Sequence, residues 1–311
     1  MSNNTNTPNS VRVLNLIITV LLIITAMLSI VALFIIPNFD KISEIFMPLP
    51  ELDSSKDFIT VFDSGEADSI LICSNGQKVL IDSGSEQFDN ELCSKIRNKG
   101  IKELEAVFVS HLHDDHVGGL EKVAKEFKIS NLIVPDLASN EESAFSVRKV
   151  KNDILNSGGN VFNAVAGMVT KCGDFEITIL GYYSGQSSEN NRSIFMMAKY
   201  NDFKFLFTGD AEAAAEKQLI REGINFDCDI LKVAHHGSDT STTEEFLKIA
   251  TPEYAVISCG KDNEYNHPSS VVLDRLSAVG ADVKRTDLQG DITFHFNSNE
   301  LNVSVERLIE N

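Results

Sequence analysis

Three of the seven histidines in this chain fall inside six residues, His111-Leu112-His113-Asp114-Asp115-His116, with two aspartates among them. The flanks restrict what can surround this cluster. Leu104 to Val109, LEAVFV, is a short apolar run of strand type, and Gly118-Gly119 gives way to LEKVAKEF, whose apolar residues recur at helical spacing. The cluster is therefore expected on a strand-to-helix loop, where catalytic groups collect on a rigid scaffold. In an extended loop residues i and i+2 point to one side, so His111 and His113 can share one metal ion, while Asp115 and His116 can turn toward a second. Imidazole nitrogen and carboxylate oxygen suit Zn²⁺ and related ions. Asp114, taken alone, reads equally as a solvated loop residue or a helix cap.

From Asp57 onward the pattern is globular. Strand-like runs (FITVF, SILIC, KVLID, NLIV, FEITIL, SIFMMAKY, FKFLF, CDILKVA, YAVIS, DITFHF) alternate with helical ones (NELCSKIRNKG, AEAAAEKQLIREG, STTEEFLKIA, HPSSVVLDRLSAVG). That alternation predicts an α/β domain with helices covering sheets. The five cysteines form no CxxC pair, and Cys73, Cys228 and Cys259 sit in strand-like runs, so they read as small buried apolar residues rather than a disulfide framework. A formal charge of −18 repels nucleic-acid phosphates at long range, and no basic stripe interleaved with aromatics is present. A nucleic-acid role would have to rest on the site alone.

Ahead of the domain, residues 13–36 form an apolar stretch without a charged residue. At about 1.5 Å per residue, such a helix crosses a hydrocarbon core of about 30 Å. No small-x-small cleavage site and no lipobox-like cysteine follows, so an uncleaved anchor in the lipid bilayer is expected. Arg12 precedes it, and Asp40, Lys41 and Glu44 follow. The positive-inside tendency then puts the tail, residues 1–12, in the cytoplasm and the domain outside the cell membrane. Residues 37–56, with Pro37, Pro48 and Pro50, read as a linker, and residues 57–311 as one domain.

The HxHxDH string followed by two glycines resembles the metallo-β-lactamase superfamily. TVFDSGEADSILI, KVLIDSGS, NRSIFMMAKYNDFKFLFTGDAE, LKVAHHGSDTSTTEEFL, YAVISCG and NEYNHPSSVVLDRL stand in the order shown by the ComEC-type hydrolase domain of DNA-uptake proteins. The resemblance runs from about Phe58 to Phe296, and TGDA, HHGS and NxxxHPS are specific in combination. The chain is similar to a stand-alone, membrane-tethered version of that domain. The resemblance implies an αββα sandwich with two divalent ions, zinc or manganese, at one edge. It implies that Asp210, after the strand FKFLF, bridges the two ions, and that His235 or His236 completes the second site while the other positions substrate. Asp82 is expected to orient a histidine from behind, and Asp68 similarly. Many binuclear members have a further ligand histidine between the loop and the bridging aspartate, but Leu120 to Thr208 holds no histidine. Asn191-Arg192-Ser193 stands near that point, with Asn191 and Ser193 matching the ComEC-type pattern. The His111/His113 ion would then be held by two histidines, Asp210 and water, in a weaker or more open site. Full ComEC domains often lack the first loop histidine, so its presence here favours two ions.

His267, in NHPSS, is expected to open a helix, with Pro268 at the first turn and unpaired amides behind it. Its family position implies stabilising a phosphoryl oxygen or protonating the leaving group, with Ser238 helping through its hydroxyl. The expected catalytic set is Asp115, His236, His267 and Ser238, acting through a metal-bound hydroxide on a phosphodiester of DNA, RNA or a wall polymer. The competing readings are a hydrolase of carbon esters, lactones or β-lactams on the same fold, and an inactive tethered binding domain. The missing middle histidine and the NRS and HPS elements speak against the first, and the retained ligand string against the second. A redox di-iron site would prefer a carboxylate at position 113.

Overall fold

The computed structural model describes residues 56–135 and 142–307, together with isolated helical positions between Thr19 and Ser29. The chain divides into two units, Met1–Pro50 and Glu51–Asn311. The expected anchor at 13–36 lies largely outside the described residues, as do the whole tail and nearly all of the linker. Among the described residues no helix is long and apolar enough to cross a membrane.

The second unit is a two-sheet sandwich. One sheet has eight strands, running in space through Leu301–Val305, Ile292–Phe296, Asp57–Val61, Ile70–Ser74, Gln77–Ile81, Ala106–Phe108, Asn131–Val134 and Asn160–Asn163. The other has seven, through Asp282–Arg285, Tyr254–Ile257, Ile230–Lys232, Phe203–Phe207, Phe195–Tyr200, Phe175–Gly181 and Val169–Cys172. The central strands are mostly apolar on both sides because both of their faces are covered. In ILICS, Ile70 and Ile72 point into the core between the sheets, while Leu71 and Cys73 point outward. In FKFLF, Phe205 and Phe207 face that inner core and Leu206 faces out.

Helices cover both outer faces. Leu92 and Ile96 of Asp89–Asn98, Leu120 and Val123 of Leu120–Glu126, and Val147 and Ile154 of Glu142–Asn156 pack on Leu80, Val107 and Leu132. On the far side Leu219, Phe246 and Leu276, from Ala213–Arg221, Glu244–Ala250 and Ser270–Ala278, pack with Leu206, Leu231 and Ala255. The layers are thus αββα. All five cysteines are buried and unbridged.

The site follows from strand direction. Gln77–Ile81 and Ala106–Phe108 are parallel neighbours, as are Phe203–Phe207, Ile230–Lys232 and Tyr254–Ile257. Asp82, the His111–His116 loop, Asp210, the His235-His236 pair and the loop to His267 all follow the carboxyl ends of these strands, where α/β sheets leave room for ligands. A hydrogen bond from Ile194 N to Ser110 O, 3.0 Å, ties the two loop sets together at this edge.

Candidate metal centre

Two groups of possible ligand atoms share Asp210. Asp115, His116, Asp210 and His236 form one, and His111, His113 and Asp210 the other; within each group the atoms lie within 4.8 Å of one another. His116 Nε2 is 3.2 Å from Asp210 Oδ1, and His236 Nε2 is 3.2 Å from Asp115 Oδ2 and 3.7 Å from Asp210 Oδ2. On the other side His111 Nε2 stands 3.9 Å from Asp210 Oδ2 and 3.1 Å from His113 Nδ1. His111, His116, Asp210 and His236 are almost fully buried. Of the pair at 235–236, it is His236 that joins the cluster. His235 stays 3.9 Å from Asp210 with its side chain 24 % exposed, on the cleft side. Of the two alternatives the sequence left open, the geometry favours His236 for the ligand group and leaves His235 facing the cleft.

These side chains are held from behind. Asp82 accepts hydrogen bonds from His116 Nδ1 at 2.8 Å, Ser110 N at 2.7 Å and Ser110 Oγ at 2.6 Å, so it fixes the imidazole with Nε2 toward Asp210. Ser193 Oγ accepts from Asp210 N at 3.0 Å. His236 donates from Nδ1 to Ser258 O at 3.0 Å, and that carbonyl, rather than Asp68, orients the ring. Asp68 lies 3.7 Å from the same nitrogen and is instead paired at 2.9 Å with Lys232, a fully buried lysine that also donates to Val233 O. Asp82, His235 and His236 all adopt left-handed backbone, with φ of 58°, 50° and 54°. Such non-glycine conformations cost about 1–3 kcal/mol each and persist where the surroundings dictate them, commonly at functional sites.

Two further expectations are corrected. Asn191 turns away from the histidines: its Oδ1 accepts from Glu212 N and Ala215 N, and its Nδ2 donates to Glu212, fastening the start of Ala213–Arg221. Its neighbour Asn190 faces the cleft instead, 3.4 Å from His235 Nε2. Ser238 does not line the cleft; its hydroxyl pairs with Thr240 Oγ1 at 3.0 Å.

The cleft of about 470 Å³ in front of the cluster is lined by His113, Asp115, Asp210, His235, His236 and His267, among others. His267 does not open the helix as expected. Ser269 caps Ser270–Ala278 by accepting from Val272 N, and Pro268 precedes the cap, so that amide is already satisfied. His267 is held instead by Glu66, whose Oε1 is 2.8 Å from Nδ1, while Glu66 Oε2 accepts from Gly260 N at 2.8 Å. Glu66 was not anticipated, because nothing in its own stretch, SGEADS, signals a partner some two hundred residues away. Glu189 is a second such residue; buried, it accepts from Leu112 N at 3.1 Å and pins the histidine loop.

Comparison with known proteins decides the family. The Metallo-beta-lactamase superfamily model matches residues 63–159 and 190–261, more than half of the chain. The chain belongs to this superfamily. Among curated proteins it is 30% identical over 262 residues to ComE operon protein 3 of Bacillus subtilis, covering 78% of this chain and 33% of that protein. To Competence protein ComA of Neisseria gonorrhoeae it is 28% identical over 241 residues, covering 76% of this chain and 32% of that protein. The metallo-beta-lactamase domain is therefore of the ComEC competence type, and the chain spans about a third of the length of these relatives. The crystal structure of the metallo-beta-lactamase fold protein YhfI from Bacillus subtilis superposes with a TM-score of 0.50 at 12% identity, covering 77% of this chain and all of that one, which supports the fold alone.

Membership in the metallo-beta-lactamase superfamily makes the protein a metal-dependent hydrolase in general class, and the electrostatics of the cluster fit divalent ions. Burial alone would depress His116, but the carboxylates of Asp210, Asp115 and Asp82 outweigh it and hold the imidazole well above its ordinary range. For His236 burial is likewise outweighed, by Asp210, Asp115 and Asp68, and its pKa rises to about 9. Asp210 is driven well below the carboxylate range, its burial overcome by His116, His236 and His111. His111 goes down, through burial and the His116 charge, and His235 goes down through burial. Without an ion the cluster thus keeps two protonated imidazoles among its carboxylates, and one divalent cation supplies the same positive charge. His116 Nε2 and Asp210 Oδ1 are buried with no aligned hydrogen-bond partner although they lie 3.2 Å apart, as atoms meant for a shared cation would be.

Proposed function

We propose that the domain hydrolyses phosphodiesters with two divalent ions, zinc or manganese, one held by His111, His113 and Asp210 and one by Asp115, His116, Asp210 and His236. Bound there, such ions polarise a phosphoryl oxygen and lower the pKa of coordinated water to about 7. The side chains do the rest. Asp115, partly exposed at the cleft floor, accepts a hydrogen bond from the attacking water and orients it. His235 and Asn190 hold the non-bridging phosphoryl oxygens from the cleft wall. His267, with Nδ1 bonded to Glu66, keeps Nε2 on the cleft side and moves a proton to the departing oxygen.

The observation that carries this reading is the Glu66–His267 pair facing the ligand cluster across the cleft. An alkoxide leaving a phosphodiester needs such a proton, and the pairing fixes the imidazole for it. The competence names of the relatives favour DNA among possible phosphodiesters, with RNA or a wall polymer as the other candidates. Residues 13–36 anchor the protein in the cell membrane as a single span, with Arg12 supporting a cytoplasmic N-terminus and an extracytoplasmic domain. The test is the purified protein on bis-p-nitrophenyl phosphate, plasmid DNA and nitrocefin. Metal-dependent hydrolysis of a phosphodiester is expected; turnover of nitrocefin alone would overturn the reading in favour of β-lactam chemistry.

A further inference from the structure

We infer that Tyr265 is a stacking platform for an unpaired nucleobase next to the scissile phosphate. The inference deepens the phosphodiester reading by naming single-stranded nucleic acid as the substrate class. Tyr265 lines the mouth of the cleft and is 70% exposed. One ring face lies on His267, with centroids 5.6 Å apart and planes 20° from parallel. His267 is in turn 5.7 Å from the His235 ring, so an aromatic file leads from the surface to the ligand cluster.

An exposed tyrosine is unremarked when it hangs on a loose loop, but this one does not. Asn263 donates from Nδ2 to Gly260 O at 2.9 Å and to His267 O at 2.6 Å, and accepts from His267 N at 2.9 Å. Gly260 N is bound by Glu66. The loop is thus fastened across its base, and the ring is presented to solvent with little ordering left to be done on binding. Charge points the same way. Among the described residues lining the cleft there is no lysine or arginine, while Glu66, Asp114, Asp115 and Asp210 are present. Apart from the ions and the neutral contacts of His235 and Asn190, nothing in this lining clamps a phosphate, so affinity for the nucleoside comes from its π-face, which every base offers to an aromatic side chain. In a duplex that face is covered by the neighbouring base pairs, so the strand must be single.

The test measures binding of an end-labelled thymidine octamer with phosphorothioate linkages, which hydrolyse slowly, and of its abasic counterpart. Both are titrated by anisotropy with the metal-supplemented full chain. The wild type should bind the thymidine octamer about tenfold more tightly than the abasic one, the scale of one base–aromatic stack. Tyr265→Ala should lose that factor for thymidine alone, and Tyr265→Phe, which keeps the ring, should retain it. Equal affinity of the wild type for both octamers, no measurable binding of the thymidine octamer, or an equal loss on both in Tyr265→Ala would overturn the platform. Hydrolysis of bis-p-nitrophenyl phosphate reports separately on the reaction. A base preference without hydrolysis removes the phosphodiesterase reading and leaves the platform, and hydrolysis without the preference does the reverse.

Discussion

His116 and His267 are both imidazoles bonded through Nδ1 to a carboxylate at 2.8 Å, yet their surroundings give them different work. His116 is fully buried and points Nε2 at Asp210, whereas His267 stands at the cleft mouth, beyond the ligand groups. His267→Ala should lower phosphodiester turnover by roughly 10²–10⁴-fold, the usual scale for a lost acid–base group, with metal content unchanged. Glu66→Gln should lower turnover less and also shift the pH profile. His116→Ala should lose metal and activity together. Loss of metal in His267→Ala would instead make His267 a ligand.

Protonation gives a second outcome at this scale. Metal-free His236 titrates at about 9 and His116 is also raised, so both carry protons at neutral pH and must release them to ligate. Metal affinity should therefore increase as pH rises from about 7 toward 9. Calorimetric titration at pH 7 should give heats that depend on the buffer's ionisation enthalpy, and heats independent of buffer would contradict the assignment. Four of the ligands, His111, His113, Asp115 and His116, were legible because HxHxDH packs them into one short loop, whereas Asp210 and His236 were reached only through the family resemblance. Glu66, Asn190 and Lys232 were not legible, since each acquires its partner only when distant strand ends meet.

Between strand Ile230–Lys232 and the cleft, the turn Ala234–Gly237 sets the direction of both histidines through two consecutive left-handed residues. Gly237 continues it at φ 86°, and a Cβ there would meet Pro268 Cβ at 2.5 Å. Gly237→Ala should cost about 1–3 kcal/mol in urea unfolding of the metal-free protein and weaken metal binding as well. An unchanged midpoint would mean that the turn relaxes without consequence. Element by element, the central strands were readable because burial on both faces makes them continuous apolar runs. Of the strands in the two main sheets, those that went unread, Asn160–Asn163, Val169–Cys172, Asp282–Arg285 and Leu301–Val305, are the four outermost. Each is largely exposed or half-exposed along its length, so polar residues such as Asn160, Lys171, Asp282 and Ser304 break the apolar signal. Helix Glu142–Asn156 was missed for a related reason: its polar face carries Arg148, Lys149, Lys151 and Asp153 between sparse core contacts at Val147, Val150 and Ile154.

At the scale of the whole molecule the proposed anchor at 13–36, with Arg12 on its cytoplasmic side, predicts that protease added to intact cells freed of any wall digests the αββα domain; digestion only after the membrane is opened would reverse the orientation. The central claim, however, is the two-ion centre built around Asp210, and elemental analysis of the purified, metal-supplemented protein tests it most directly. The wild type should hold one to two equivalents of zinc or manganese, and a folded Asp210→Ala protein should hold neither, because that carboxylate belongs to both ligand groups. A folded wild type that retains no transition metal, or an Asp210→Ala protein that keeps its full complement, would contradict it.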